Sequence, residues 1–135
     1  MNKAASIPTA LLPALQAAEA RYRENGGNPE HPPVEAAQNL SRVWAASRFV
    51  AENCARDPAM LAELAASGDL GGANSPAARV KKELLEIQDE RMLMTRLRWV
   101  RRRELTRIAW RDLAGSAELD ETLRDLSELA DACIQ

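Results

Sequence analysis

The sequence is poor in aromatics, histidine and cysteine, and it lacks long apolar runs and alternating β-branched stretches. Aromatic residues make up only 4% of its 135 residues. Alanine and leucine dominate instead, and both are strong helix formers. A single histidine, His31, lies in a Pro-rich stretch. It reads as a solvated loop residue, and no Ser-His-Asp or Cys-His arrangement can be built from it. Cys54 and Cys133 match no metal or redox spacing and read as two reduced core thiols of a cytoplasmic protein. No apolar run approaches the roughly 18 residues of a membrane span. The short apolar run near the N-terminus is broken by Pro8 and Pro13, which argues against a signal peptide. Net charge is only -2, so no overall field draws the chain to nucleic acid or to an anionic membrane. Without runs of alternating β-branched residues or hairpin signals, no strand is expected.

What is present is a series of helix signals. They predict an all-α fold of about six helices, an irregular bundle around one long central helix. Ile7 to Glu24 reads as the first helix, ended by Gly26-Gly27-Asn28-Pro29. Asn25 to Pro33 is a loop by its glycines and prolines. Residues 1–33 are therefore expected to form a loosely packed N-terminal piece, with 34–135 as the main helical unit. Val34 to Ala55 reads as a second, long helix, on the spacing of Leu40, Val43, Trp44, Ser47 and Val50. Asp57-Pro58 opens a short third helix, and Gly68 closes it. Ser75-Pro76 opens a fourth that runs to about Gln88. Asp89 caps the fifth, Glu90 to Leu113, and Gly115 ends it. Glu118 to Ile134 is the sixth.

The fifth helix carries the most information. Leu93, Leu97, Val100 and Ile108 group on one side of it, and Met92, Trp99, Trp110 and Leu113 on roughly the other. Apolar residues on two faces predict a helix contacted from both sides. Arg101, Arg102, Arg103, Arg107 and Arg111 lie in the seams. For most of them the favoured reading is that the stems cover the tryptophans while the heads stay wet. A second reading makes some of them buried forks holding Asp120, Glu121, Asp125 or Glu128 of the acidic sixth helix. Nucleic-acid binding is a weak third, because an acidic helix follows directly and the tryptophans fall on faces that look buried. Some of Trp99, Trp110, Leu113, Leu123, Leu126 and Leu129 are expected to stay solvent-accessible. The short helices offered by the chain should not cover two apolar faces completely.

Three segments in order carry a family resemblance. Arg101 to Trp110, R-R-R-E-L-T-R-I-A-W, is similar to the R-R-R-x-[ML]-x-R-I-A-W segment of glutamate–ammonia-ligase adenylyltransferases. Ser47 to Leu64 resembles that family's S-x-F-V … P-x-x-L-x-E-L segment. Leu119 to Ile134 resembles the helix that leads into its catalytic domain. The resemblance covers roughly Val43 to the C-terminus. It implies the helical lead-in of an enzyme that uses ATP and Mg²⁺ to adenylylate glutamine synthetase. That enzyme removes the AMP by phosphorolysis, under control of glutamine and the PII signal protein.

The family's glycine-rich stretch and D-x-D pair have no counterpart here. The nearest imitation, Gly68 to Ser75, has glycines and a serine, but no D-x-D follows and a helix opens where a strand is needed. No catalytic, cofactor-binding or metal-binding residue is therefore assigned. The chain is expected to be inactive alone, to dock against a catalytic domain that it lacks, and to bind neither nucleic acid nor membrane. The rival expectation is a free-standing helical module that binds a protein through Trp99 and Trp110.

Overall fold

The computed structural model describes residues 7–134. Among them every regular element is helical. A 3-10 turn, Thr9–Leu11, leads into α1, Leu12–Glu24. Then come α2 (Val34–Ala37), α3 (Leu40–Ala46), α4 (Arg48–Arg56), α5 (Pro58–Ser67), α6 (Pro76–Leu84), α7 (Glu90–Ala114) and α8 (Leu119–Ile134).

The all-α expectation holds, with eight α-helices among the described residues rather than about six. The extra ones come from the stretch 34–55, expected as one helix. At Asn39 the chain tightens into a turn, its amide donating to the Ala36 carbonyl at 3.1 Å, and Ser47 is extended at φ -136° and ψ 107°. The Ser47 hydroxyl accepts the amide of Val50 and so starts α4 anew. A serine side chain that satisfies a free amide competes with continuation of the helix. The remaining caps fall where the sequence puts them. Asp57 accepts from Met60 N, Ser75 from Ala78 N and Asp89 from Arg91 N. Gly68 and Gly115 end α5 and α7 with φ of 82° and 79°, a left-handed turn that a side chain would strain.

The N-terminal helix is not loosely packed. Leu15 and Tyr22 of α1 are buried in a core with Leu40, Val43, Trp44, Val50, Cys54, Leu61 and Leu64. Tyr22 meets Trp44 edge to face, with centroids 5.3 Å apart. The chain after α1 passes so close to the Tyr22 ring that a Cβ on Gly27 would lie 2.4 Å from it. Asn25 Nδ2 then donates to the Ala55 carbonyl at 2.8 Å, tying the end of α1 to α4.

The long helix α7, about 37 Å at 1.5 Å per residue, lies between two groups of helices. On one side it meets α3, α4 and α5, and on the other α6 and α8. Trp110, 1% exposed, belongs to the larger core. Val100 and Ile108 belong to a second core with Val80 and Leu129. Trp99, half-buried, borders both. The two-sided helix read from the sequence is the organising element of the fold.

Candidate functional site

The arginines of α7 divide by burial. Arg101 is exposed and Arg102 partly so, its Nη2 3.8 Å from Asp57 Oδ2. Arg103, Arg107 and Arg111 are buried. These three recur every fourth residue, so they stack on one face of the helix and form a ladder between the two cores. The expectation that most of these arginines keep wet heads therefore fails for the ladder. A buried guanidinium needs carboxylates around it, and these supply them.

Arg103 sits in a nest of three acids. Its Nη2 donates to Glu63 Oε2 at 2.8 Å and to Asp69 Oδ2 at 2.6 Å. Nη1 donates to Glu104 Oε2 at 2.5 Å, and Nε makes a further short bond to Glu63 Oε1. Arg107 Nε donates to the other oxygen of Glu104 at 3.2 Å, and its Nη2 lies 3.7 Å from Asp125 of α8. Arg111 Nη2 reaches Glu121 of α8 at 2.8 Å and the Ser116 carbonyl at 3.1 Å. The ladder thus joins α7 to α5 and its following loop at one end, and to α8 at the other. From Glu63 the pairing continues through Arg79 and Glu83 of α6 to Arg96. Arg96 also lies over Trp99, 4.3 Å from the ring centroid, so here the head, not the stem, covers the tryptophan, and it is paired with Glu83 rather than left to water.

The electrostatics follow from this geometry. Hydrogen bonds from Arg103 hold the Glu63 carboxyl below its ordinary range. Burial alone would raise Asp69, but hydrogen bonds from Arg103 and Asn74 outweigh it, and the net direction is down. Burial pushes Glu104 up, against the pull of Arg107 and Arg103. Asp125 is also pushed up by burial. Arg103 is fixed in its charged form, since Glu63 and Asp69 outweigh the burial that works against it.

Of the acids expected on the sixth helix, Glu121 and Asp125 meet the ladder. Glu128 instead accepts from Ser75 Oγ at 2.8 Å and Ala77 N at 3.1 Å, which holds the start of α6. Asp120 is exposed. Glu63, Asp69 and Glu104 were not anticipated as partners. The fourfold repeat of Arg103, Arg107 and Arg111 was the available signal that one face of the helix needs acids.

The glycine-rich stretch does not fit a Mg·ATP site. Asp69 is engaged by Arg103 and Asn74, and the Ser75 hydroxyl caps α6. Among the described residues no group of three or more His, Cys, Asp and Glu side chains is arranged to hold a metal ion. No helix there is long and apolar enough to cross a membrane. The thiols are both free, but only Cys54 is a core residue; Cys133 is half-buried on α8. His31 is exposed, as expected.

The apolar residues expected to stay accessible divide, and others such as Met92, Leu119 and Ile134 are exposed as well. Leu113, Leu123 and Leu126 are exposed by 36%, 53% and 39%, whereas Trp110 and Leu129 are buried. A surface centred on both tryptophans is therefore excluded.

A family model described as glutamate-ammonia ligase adenylyltransferase matches residues 37–135. The chain belongs to this family. All the ladder residues and their acids lie within the matched stretch. Three relatives are each named bifunctional glutamine synthetase adenylyltransferase/adenylyl-removing enzyme. The relative from Nitrosococcus oceani is 50% identical over 100 residues, which cover 72% of this chain and 10% of the relative. That from Pseudomonas aeruginosa is 43% identical over 141 residues, 96% of this chain and 14% of the relative. That from Thioalkalivibrio sulfidiphilus is 51% identical over 98 residues, 70% of this chain and 10% of the relative. The chain thus spans between 10% and 14% of the length of these relatives. No solved structure matches it.

Proposed function

We propose that this chain is the helical scaffold segment of an enzyme that adenylylates glutamine synthetase and removes the adenylyl group. In the whole enzyme ATP and Mg²⁺ would be held elsewhere, glutamine synthetase would be the substrate, and the PII signal protein would regulate. The setting would be cytoplasmic. The segment's own task is to hold α7 rigidly between two helical groups, and to present a fixed surface to the catalytic domain.

The observation that carries this reading is the engagement of Arg103, Arg107 and Arg111. Each is buried and paired with acids of this same chain. A guanidinium so committed orders helices and is not presented to a phosphate. The free-standing interaction module keeps one supporting observation, the exposed leucines of α8.

The test is a chimera of the Pseudomonas aeruginosa relative in which this chain replaces the matching stretch. The chimera is expected to transfer AMP to glutamine synthetase and to remove it, while the 135-residue chain alone does neither. A chimera that folds but has lost both activities, or turnover by the chain alone, would overturn the reading.

A further inference from the structure

The helix α8 is turned with Leu119, Leu123 and Leu126 outward. Thr122, Asp125 and Leu129 face the body of the protein. The Thr122 hydroxyl lies 3.2 Å from Asp112 Oδ1, and Asp125 faces Arg107. The ladder thus draws the polar edge of α8 inward. Leu119, Leu123 and Leu126 are left 66%, 53% and 39% exposed, and Ile134 83%.

The exposed leucines, with Ala130 and the half-buried Cys133, have a regular spacing. Leu119, Leu123, Leu126, Ala130 and Cys133 follow one another at intervals of four, three, four and three. That is the repeat of a helix seam that receives a second helix at a shallow crossing angle of about 20°. Beside it, between α7 and α8, lies a shallow cavity of about 260 Å³, lined in part by Arg101, Leu105, Leu126, Ala130, Cys133 and Ile134. The exposed charges around the seam are Glu118 and Asp120 at one end and Asp131 at the other, against Arg124 and, across the cavity on α7, Arg101.

We infer that the outward face of α8 receives an amphipathic helix with an apolar seam and lysine or arginine flanks, contributed by the remainder of the parent enzyme. This rests on the scaffold reading above. Charge decides against a second copy of the chain as the occupant. Both ends of α8 are acidic, so pairing α8 with itself sets acid against acid in either direction.

The experiment titrates the 135-residue chain with two synthetic helices that carry leucine at every seam position. One has lysine flanks and the other glutamate flanks. The lysine-flanked helix is expected to bind at least tenfold more tightly, and Leu123→Glu with Leu126→Glu to abolish the binding. Both leucines are exposed, so the double variant should keep the helix content and Tm of the parent chain. In the chimera the same double variant should lower Tm by several degrees, because there the face is covered. Equal affinity for the two helices, binding that survives the double variant, or an unchanged chimera Tm would each overturn the inference. So would a dimer of the chain that the double variant disperses, since it would assign the face to a second copy. The peptide titration does not depend on enzymatic activity, so an inactive chimera would count against the scaffold reading alone.

Discussion

Arg103 Nη2 lies 2.6 Å from Asp69 Oδ2, a buried pair that joins the middle of α7 to the loop leaving α5 across 34 residues of sequence. Removing one partner of such a pair leaves the other charge buried and uncompensated, which costs about 3–5 kcal/mol. Arg103→Ala is therefore expected to lower the urea-unfolding free energy by that order. Arg101→Ala, at an exposed position, should stay within about 0.5 kcal/mol of the parent. Similar losses for the two variants would mean that burial does not distinguish them.

Acid stability should depend on Glu63. Its carboxyl, like that of Asp69, is held below the ordinary range. The stability each contributes is present above its unfolded pKa of about 4, and is lost as pH falls through the lower folded value. Glu104 and Asp125 act in the opposite sense. Burial raises them, so their contribution is full below about pH 4 and is lost as pH rises through the folded values. The stability gap between the parent and Glu63→Gln is accordingly expected to be wide at pH 7 and to narrow toward pH 3. Urea unfolding across that range measures it, and a constant gap would contradict the pairing.

Trp110, 1% exposed in the larger core, should cost about 3–5 kcal/mol when replaced by alanine. Leu123→Ala on the open face of α8 should cost no more than about 0.5 kcal/mol. Thermal unfolding would order the two, and the reverse order would show that α8 is turned the other way.

The thiols should differ in reactivity. Burial pushes Cys54 up to about 12, so at neutral pH it carries almost no thiolate. Cys133 is also raised by burial but is only half-buried. A thiol reagent on the folded chain is expected to label Cys133 alone, with Cys54 reacting only after unfolding. Early labelling of Cys54 would contradict the packing of α4.

Local chemistry made much of this fold legible. Asp57-Pro58, Ser75-Pro76 and Asp89 each start a helix, and the amide that each cap satisfies is only two or three residues away. The two apolar sides of α7 were legible because helical periodicity lies in the chain itself. The break at Ser47 was not, because its apolar neighbours kept a helical spacing across a residue that caps instead. Glu63 and Asp69 as partners of Arg103 were beyond reach too. Their separations of 40 and 34 residues leave no trace in local pattern. The inward turn of α8 depends on Arg107 and Asp112, so its leucine face could be listed from periodicity but not oriented.

On the scaffold reading, the buried ladder holds the fold and takes no part in a reaction centre. The most direct measurement compares kcat per folded molecule, for AMP transfer to glutamine synthetase, between the chimera and its Arg107→Met variant. Unfolding is followed in the same buffer at a temperature where both retain a folded population. The variant is expected to lose stability while each folded molecule keeps its turnover within about threefold, or about 0.7 kcal/mol of barrier. A variant that remains as stable as the chimera yet loses more than tenfold in kcat would instead place Arg107 in the chemistry.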